Sequence, residues 1–361
     1  MSEENERSSA PRIALLTCRH HDHIDHASEG KLMHALVRRG AVVTLIAWTD
    51  MLDYVASECD EDVEFIDATQ GRFEAVVLRT TWDYWERLNE FRAFLEGCVV
   101  EDVAELLNKA TTALANLDKA YMKELQTQGV PIVPTVFVEP GREASAVDEA
   151  RSRGWSVVVV KPGVGAAASG LRRFDRIDEA VAEYLRELTA TGMALLQKYL
   201  PRVVSEGETS LVYFDGQFSH AVTKVPAPGD FRSQVDFGGT YTLVEPTAEQ
   251  RQVAEMSLLA WEKRYEDKPL YARVDLVPGD DGRPLLGELE LIEPELFLDM
   301  DAGAADRFAD AILARVRVPE PSRGTLGEKA WQVGCIALLM FGFIAFAIGV
   351  GTIFGWLFGG P

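Results

Sequence analysis

A lysine at the end of a valine-rich run, followed by a loop of small residues, is the feature of this sequence with the clearest chemical use. The run Val157 to Val160 continues as Lys161-Pro162, and residues 163–170 are only Gly, Ala, Val and Ser. The valines predict a buried strand that stops at Pro162, since proline cannot donate to a sheet ladder. The backbone of such a loop can surround an anion and the lysine adds a positive charge, so we predict a phosphate-binding loop. A buried strand followed by an ordinary flexible turn is the alternative.

Three acidic side chains occupy positions from which they can meet at one site. Asp275 lies in one predicted strand, and Glu288 and Glu290 lie in the next. Side chains alternate along a strand, so the two glutamates point to one face, and an antiparallel turn at 279–282 would bring Asp275 beside them. Carboxylate oxygens suit Mg²⁺ that also bridges substrate phosphates. The alternative is an ion-paired surface in which nearby arginines neutralise the same carboxylates.

A histidine cluster near the N-terminus suggests a different metal chemistry. Residues 21–26 read His-Asp-His-Ile-Asp-His and match the H-x-H-x-D-H metal motif of the metallo-β-lactamase fold. Imidazole and carboxylate groups at this spacing can hold zinc. That fold needs a further histidine tens of residues on, whereas no histidine lies between His34 and His220, and it places a β-layer before the motif. We therefore expect a polar loop that faces a substrate pocket, with a zinc site as the alternative.

Charge and aromatic side chains are concentrated in the segment Arg79-Thr80-Thr81-Trp82-Asp83-Tyr84-Trp85. It follows a predicted strand over 75–78. The guanidinium group of Arg79 could bind a substrate carboxylate in a bidentate way. A solvated loop with a packing tryptophan is the alternative.

The elements that would position these residues alternate between strands and helices in the first part of the chain. That order predicts an open, mostly parallel sheet, whose ligands bind at the carboxyl ends of the strands. The Asp215-Gly216 dipeptide between two β-rich runs predicts a hairpin. Asn116 or Asp118 is expected to cap a helix that ends at Gly129. The predicted strands relevant to the sites are 12–17, 42–48, 75–78, 136–138, 194–199, 209–214, 217–224, 270–277 and 284–292.

Composition sets the class of protein. The chain has 361 residues, of which 47% are hydrophobic, and a formal net charge of −21. Such an acidic chain is not expected to bind nucleic acid, because phosphate attraction needs a basic face. Four scattered cysteines without a CxxC motif predict neither a disulfide framework nor a zinc knuckle. The first ten residues are polar, which predicts a disordered lead-in.

The C-terminus differs from the rest of the chain. Residues 330–361 have no charged side chain, and 333–358 is almost wholly apolar and long enough to span a bilayer as a tilted helix. Basic residues precede this segment and none follows, which predicts a single-pass membrane protein with a cytoplasmic catalytic body. Ala347, Gly351 and Gly355 form a small-residue face that could pair two such helices in a homodimer.

The order of the chemical motifs resembles that of the ATP-grasp superfamily, including D-alanyl ligases and glutathione synthetase. The resemblance is closer still to the cyclo-ligases that close O-ureidoserine to cycloserine. It covers about 12–316 and depends on several short segments. These are Arg79 to Tyr84, Asn116-Leu117-Asp118-Lys119, Lys161-Pro162 with the small-residue loop, Gly207-Glu208, Phe231-Arg232-Ser233-Gln234, Arg273-Val274-Asp275 and Glu288-Leu289-Glu290-Leu291-Ile292-Glu293-Pro294.

The resemblance implies a set of roles for residues of this chain. The ATP-binding set would hold the phosphates, the adenine and the ribose: Lys119, Lys161, Gly165, Ser169, Gln197, Lys198, Tyr199, Leu200 and Glu208. The catalytic set would face the transferring phosphate: Lys224, Arg232 and Arg273. The metal set would bind two Mg²⁺, with Mn²⁺ as a substitute: Asp275, Glu288 and Glu290, with Glu293 as a rival to Glu290. The substrate set would be Asp25, Arg79, Trp82, Asp83 and Tyr84.

It also implies an architecture and a reaction. The expected fold is α/β, with an α+β ATP-grasp part. The apolar tail is not part of that family pattern. With the polar N-terminus and this tail added from composition, the expected divisions are a lead-in (1–10), an N-terminal pre-ATP-grasp substrate domain with an open parallel sheet (11–110), a small ATP-grasp lobe (111–195), a large lobe (196–318), a linker (319–329) and a transmembrane helix (330–358).

The implied activity is ATP-dependent ligation of a small-molecule carboxylate with an amine through an acyl phosphate, with release of ADP and phosphate. The alternatives are intramolecular ring closure of the cycloserine-forming type, a metallohydrolase that uses the loop 21–26, and a membrane pseudoenzyme that binds nucleotide without turnover.

Overall fold

The computed structural model of the chain describes residues 10–19, 26–51, 73–101, 105–165, 169–227, 229–230, 232 and 238–316. All of them belong to one compact unit, Met1–Val316. Within it lie three sheets, each with its own strand order. The domain boundaries predicted from the sequence inside this unit stay predictions.

The first sheet is parallel, as the alternation of strands and helices predicts. Its strands pair in the order β2-β1-β3-β4. Parallel strands need crossover helices, which here cover the sheet and bury β3 along its whole length. The elements are β1 (Arg12–Thr17), α1 (His26–Arg38), β2 (Val42–Ala47), β3 (Ala75–Thr80), a 3₁₀ turn (Tyr84–Arg87), α2 (Leu88–Glu101) and β4 (Leu106–Leu107).

The second sheet is antiparallel and contains the valine-rich strand. Its order is β5-β8-β6-β7. The prediction that this strand stops at Pro162 is confirmed. The helix α6 begins where the side chain of Asp178 accepts a hydrogen bond from the Ala180 amide (3.2 Å). The elements are β5 (Thr135–Val138), α5 (Glu143–Ser152), β6 (Val158–Pro162), β7 (Arg172–Phe174), α6 (Glu179–Thr189) and β8 (Ala194–Lys198).

The third sheet is also antiparallel, in the order β11-β10-β9-β12-β13. The predicted hairpin is confirmed: Asp215 and Gly216 both have positive φ, as a type I′ turn requires. The predicted antiparallel pairing of β12 with β13 is confirmed as well. The elements are α7 (Arg202–Glu206), β9 (Glu208–Phe214), β10 (Gln217–Val225), β11 (Thr240–Val244), α8 (Ala248–Tyr265), β12 (Tyr271–Pro278), β13 (Pro284–Glu290) and α9 (Ala304–Arg315).

The helix predicted before Gly129 is present as α4 (Tyr121–Thr127), and a second short helix, α3 (Ala110–Asn116), precedes it. Asn116 is not an N-cap as predicted, because it is the last residue of α3. Its side chain donates to the Leu289 carbonyl (3.0 Å) and accepts from the Leu291 amide (2.9 Å). The Tyr121 hydroxyl donates to the same carbonyl (2.8 Å) and accepts from the Leu289 amide (3.0 Å). These side chains therefore occupy the outer edge of β13.

The last helix, α9, packs against the first helix, α1. The guanidinium group of Arg39 binds the Asp310 carboxylate (2.6 Å), and the Ser28 hydroxyl accepts a hydrogen bond from the Leu298 amide (3.0 Å). Phe308 and Ile312 lie in one buried cluster with Ile13 and residues of the third sheet. The first sheet thus shares its core with the end of the described chain.

The localisation predicted from the sequence, a single-pass membrane protein with a cytoplasmic catalytic body, is wrong. No helix within the described ranges is long and apolar enough to cross a bilayer. The apolar segment 330–358 and the pairing face Ala347, Gly351 and Gly355 lie outside the described residues. The prediction was based on the apolar composition of this segment and on the basic residues that precede it.

Candidate functional site

A cavity of about 980 Å³ lies between the second and third sheets. Its wall includes the end of β6, the segment after β8, and the facing strands β12 and β13. Aromatic side chains and a segment that follows β13 close one end. A cavity of this size, with charged groups directed into an otherwise apolar wall, suits a ligand as large as a nucleotide together with a small substrate.

Two lysines of the predicted ATP-binding set meet in this cavity. The Lys119 Nζ atom lies 3.1 Å from Glu288 and donates to the Gly165 carbonyl (2.8 Å). The Lys161 Nζ atom lies 4.0 Å from the other carboxylate oxygen of Glu288. The backbone amide of Lys119 donates to the Gly163 carbonyl (2.9 Å), which connects the α3–α4 segment to the loop after β6. The two ammonium groups thus flank one carboxylate.

Burial and charge act in opposite directions on these two lysines. Burial lowers the pKa of Lys161, and the neighbouring Lys119 lowers it further against the attraction of Glu288. Burial also disfavours the charge of Lys119, but Glu288 outweighs it and raises the pKa of Lys119. The charge of Lys161 is therefore only partly offset by its neighbours, and a phosphate would supply the missing negative charge.

The three predicted metal carboxylates lie side by side on the cavity wall. In the register of β12 and β13, Asp275 is opposite Glu288 and Arg273 is opposite Glu290. The Arg273 guanidinium binds Asp275 (2.9 Å) and also Glu290. Burial opposes ionisation of Asp275, but Arg273 and Lys224 lower its pKa overall. Burial raises the pKa of Glu290 to about 7, despite Arg273.

This donor set fits Mg²⁺ that is shared with phosphate. Within the ranges that the structure describes, no three His, Cys, Asp or Glu side chains are grouped closely enough to hold a metal ion by themselves. Mg²⁺ in nucleotide enzymes takes one or two carboxylates and completes its octahedron with phosphate oxygens and water. Asp275 and Glu288 can provide such a half-site. The loop 21–25, on which the zinc alternative depended, lies outside the described residues.

The predicted nucleotide-binding residues all reach the cavity: Gly165, Ser169, Gln197, Lys198, Tyr199, Leu200 and Glu208 line it. Several already have partners. The Gln197 amide donates to Thr135 Oγ1 (2.9 Å), Lys198 forms an ion pair with Asp280, and Glu208 forms one with Lys224. The backbone amide of Tyr199 donates to the Val157 carbonyl (3.1 Å), so it continues the β6–β8 pairing. That amide is therefore not a donor for adenine.

The predicted substrate set is only partly brought together. Trp82 and Tyr84 line the cavity. The predicted substrate clamp is wrong, because Arg79 is 1% exposed and binds Glu29 (2.7 Å) outside the cavity wall. Asp83 also lies off the wall and accepts from the Trp48 indole (2.7 Å). Asp25 is outside the described residues.

Two further observations change the predicted catalytic set. Lys224 and Arg273 line the cavity. Arg232 is not a lining residue and forms an ion pair with Asp230 (2.7 Å). Sequence reasoning missed the aromatic wall formed by Tyr121, Tyr241 and Phe297. For Phe297, a local signal was present, because residues 292–300 continue directly from β13 and its carboxylates.

Two family descriptions match the chain. Residues 13–108 match the N-terminal domain of D-cycloserine synthetase DcsG, and residues 130–264 match the ATP-grasp domain of prokaryotic glutathione synthetase. The first match covers the parallel sheet, and the second covers the second sheet and much of the third.

Individual relatives agree with these matches. The cycloserine biosynthesis protein DcsG of Streptomyces lavendulae is 36% identical over 283 residues, which are 73% of this chain and 89% of that protein. The crystal structure of D-cycloserine synthetase DcsG superposes with a TM-score of 0.72 at 31% identity and covers 85% of this chain and all of that one.

A more distant structure shows the same fold. The D-alanine–D-alanine ligase of Bacillus anthracis in complex with ATP matches with a TM-score of 0.56 at 17% identity, over 84% of this chain and 97% of that one. ATP-grasp ligases generally use ATP and Mg²⁺. The chain belongs to the ATP-grasp ligase family of DcsG and is an ATP-dependent, ADP-forming ligase that makes C–N bonds.

Proposed function

We propose that this ligase phosphorylates a substrate carboxylate with ATP and joins the resulting acyl phosphate to a nitrogen nucleophile. The observation that carries the proposal is the meeting of two lysines and three carboxylates in one cavity. The Nζ atoms of Lys119 and Lys161 lie 3.1 Å and 4.0 Å from the two carboxylate oxygens of Glu288. Fixed cations next to Mg²⁺-binding oxygens are what phosphoryl transfer requires, because its transition state spreads negative charge over the phosphoryl oxygens.

The nucleotide would bind across the second and third sheets. Lys119 and Lys161 would contact the phosphates, with the backbone of Gly165 and Ser169 alongside. Gln197, Lys198 and the backbone of Leu200 would hold adenine. The amide of Leu200 is assigned to adenine because the amide of Tyr199 is already bonded within the sheet. Glu208 would bind the ribose hydroxyls once Lys224 turns from it to the transferring phosphate.

Asp275, Glu288 and Glu290 would hold two Mg²⁺ ions, and Mn²⁺ could replace them. Glu293 is the alternative to Glu290 as the third ligand. Bound Mg²⁺ would bridge the phosphates and neutralise their charge. Arg273 and Lys224 would keep the carboxylates ionised and oriented. Arg232, held by Asp230 at present, would face the acyl phosphate only if its segment moves.

Ring closure within one substrate is a second candidate, favoured by one observation. The relative that is 36% identical, over 89% of its length, is a cycloserine biosynthesis protein. In that reaction the nucleophilic nitrogen belongs to the molecule whose carboxylate is activated. In either case the partners are small-molecule carboxylates and amines and not nucleic acid.

The test is to trap the activated carboxylate. The purified full chain, ATP and Mg²⁺ are incubated with hydroxylamine and candidate carboxylates, including O-ureidoserine, and ADP and hydroxamate are measured together. We expect equal amounts of both products, and cycloserine without hydroxylamine if ring closure is the reaction. In Glu288→Gln we expect turnover to fall at least about 100-fold, because one metal ligand and the counter-charge of both lysines are lost. ADP formed with neither hydroxamate nor cycloserine, or full turnover in Glu288→Gln, would refute the proposal.

A further inference from the structure

Glu293 is a buried carboxylate in the cavity wall that has no primary role in the steps described above. It follows β13, lines the cavity and is 9% exposed. Its backbone carbonyl accepts a hydrogen bond from the Trp82 indole (3.0 Å), which fixes the position of this segment. This hydrogen bond fixes the backbone from which Glu293 contributes to the cavity wall.

Glu293 differs from the other buried carboxylates of the site in its partners. Each of the others is paired with a cation: Glu288 with Lys119 (3.1 Å), Asp275 with Arg273 (2.9 Å), and Glu290 also with Arg273. The Glu293 carboxylate forms no ion pair with a cation of the described residues, and Lys119 and Arg273 act on its charge only from a distance. A carboxylate taken out of water is costly in free energy unless a cation accompanies it. A bound ligand that carries a positive charge would supply such a partner.

The surroundings of Glu293 indicate which cation fits. Trp82, Tyr84 and Ile292 line the same cavity, and Tyr84 is 5% exposed. Aromatic side chains beside a carboxylate suit an organic ammonium group, which interacts with both. A metal ion would need further hard oxygen ligands. Trp82 and Ile292 offer none, and the nearby Glu290 carboxylate is already paired with Arg273.

We propose that Glu293 binds the protonated amino group of the substrate whose carboxylate is activated. The ammonium group would lie between the Glu293 carboxylate and the aromatic side chains of Trp82 and Tyr84. The substrate carboxylate would then point toward Arg273 and Lys224 on the neighbouring strands. Glu293 thereby selects amino acids over carboxylic acids that lack an amino group. This inference rests on the proposed function and assigns a specificity-determining residue within it.

The experiment compares matched substrates that differ only in the amino group. Alanine and propionate, serine and 3-hydroxypropionate, and O-ureidoserine and its deamino counterpart are tested with ATP, Mg²⁺ and hydroxylamine, and initial rates of ADP release are fitted. With the wild-type chain we expect turnover of an amino member and little of its deamino counterpart. In Glu293→Gln we expect kcat/KM for the amino member to fall about 100-fold, mainly through KM, because a buried charge pair is lost.

Controls separate this role from others. Glu293→Asp keeps the charge and should restore part of the discrimination, whereas Glu262→Gln removes one charge from an exposed position of α8 that does not line the cavity and should keep it. The KM for ATP and the half-saturating Mg²⁺ concentration should be unchanged in Glu293→Gln, which also shows that its site is intact. A higher Mg²⁺ requirement instead would make Glu293 a metal ligand and overturn the inference, as would equal losses for both members of a pair. No ADP release by the wild-type chain with any carboxylate would refute the proposed function itself.

Discussion

Lys161 is held in the cavity by weak contacts. Its Nζ atom is 4.0 Å from Glu288 and 3.5 Å from the Gly287 carbonyl, distances at the outer limit for an ion pair and a hydrogen bond. Burial and the adjacent ammonium group of Lys119 lower its pKa. A bound phosphate would reverse both effects, because it supplies the opposite charge at close range.

Replacement of this lysine should therefore weaken nucleotide binding more than it affects folding. In Lys161→Ala we expect an ATP analogue to bind about 10- to 100-fold more weakly, a loss of roughly 1.4–2.8 kcal/mol. Isothermal titration with a non-hydrolysable analogue and Mg²⁺ measures it. Lys123→Ala removes an equal charge from an exposed position of α4 and should bind as the wild type does. Equal affinity in both variants would show that Lys161 does not contact the phosphates.

The sequence predicted those residues of the site whose positions depend on local rules of strand geometry. Strand alternation places Glu288 and Glu290 together, and the valine run with its proline places Lys161 at a strand end. The sequence predicted that Arg79 binds the substrate carboxylate. This role is wrong because Arg79 pairs with Glu29, which lies 50 positions away in the chain. No local sequence pattern distinguishes an arginine that binds a substrate from one that is buried in an ion pair.

At the scale of elements, the outer edge of β13 is what holds the metal carboxylates in place. An edge strand normally leaves backbone groups free to pair with another chain. Here a segment after α4 pairs with Leu286, and Tyr121 and Asn116 satisfy the backbone of Leu289 and Leu291. The side chains of Tyr121 and Asn116 thus take the place of a neighbouring strand on this edge. The strand that carries Glu288 and Glu290 is therefore held on both sides.

Loss of one of these side chains should loosen the strand. Asn116→Ala leaves the buried Leu291 amide without its acceptor, which should lower the free energy of unfolding by about 2–3 kcal/mol. Asn116→Asp retains an acceptor for that amide and should be less destabilised at neutral pH, although its second oxygen faces the Leu289 carbonyl. Urea denaturation of the three proteins measures the difference. If Asn116→Ala is as stable as the wild type, these hydrogen bonds do not secure the strand.

The sequence predicted these elements unevenly. The hairpin, the antiparallel pair β12–β13 and the end of β6 were predicted, because turn residues and proline act locally. The helix before Gly129 was predicted with Asn116 or Asp118 as its N-cap, whereas α4 begins at Tyr121 and Asn116 ends the preceding helix α3. Asparagine is a common N-cap, and only the distant strand β13 explains its place at a helix end.

At the scale of the whole molecule, Arg79 connects the parallel sheet to the ATP-grasp part. It lies at the end of β3, binds Glu29 of α1, and donates to the Pro294 carbonyl (3.4 Å). Its guanidinium group also lies over the rings of Tyr271 (5.8 Å) and Phe308 (5.5 Å). The ion pair is almost completely buried. Removal of only one of its two charged partners should therefore lower the free energy of unfolding strongly.

A double-mutant cycle tests this connection. Arg79→Met leaves Glu29 buried without a cation and should lower the free energy of unfolding by about 3–5 kcal/mol. Arg79→Met combined with Glu29→Met removes both charges and should recover most of that loss. Unfolding midpoints in urea give the energies, and ATP affinity in the double variant should stay near the wild-type value. A double variant no more stable than Arg79→Met would show that shape, and not charge, explains the loss.

The packing of α1 against α9 has a consequence for how the chain is made. Ser28 and Arg39 contact partners that are 270 and 271 positions later. A ribosome releases the parallel sheet long before it releases those partners. Until then the nascent chain exposes the apolar face of α1 and part of the sheet, and such surfaces aggregate or recruit chaperones. Synthesis of this ligase therefore passes through a long interval in which its first hundred residues are present but cannot complete their core.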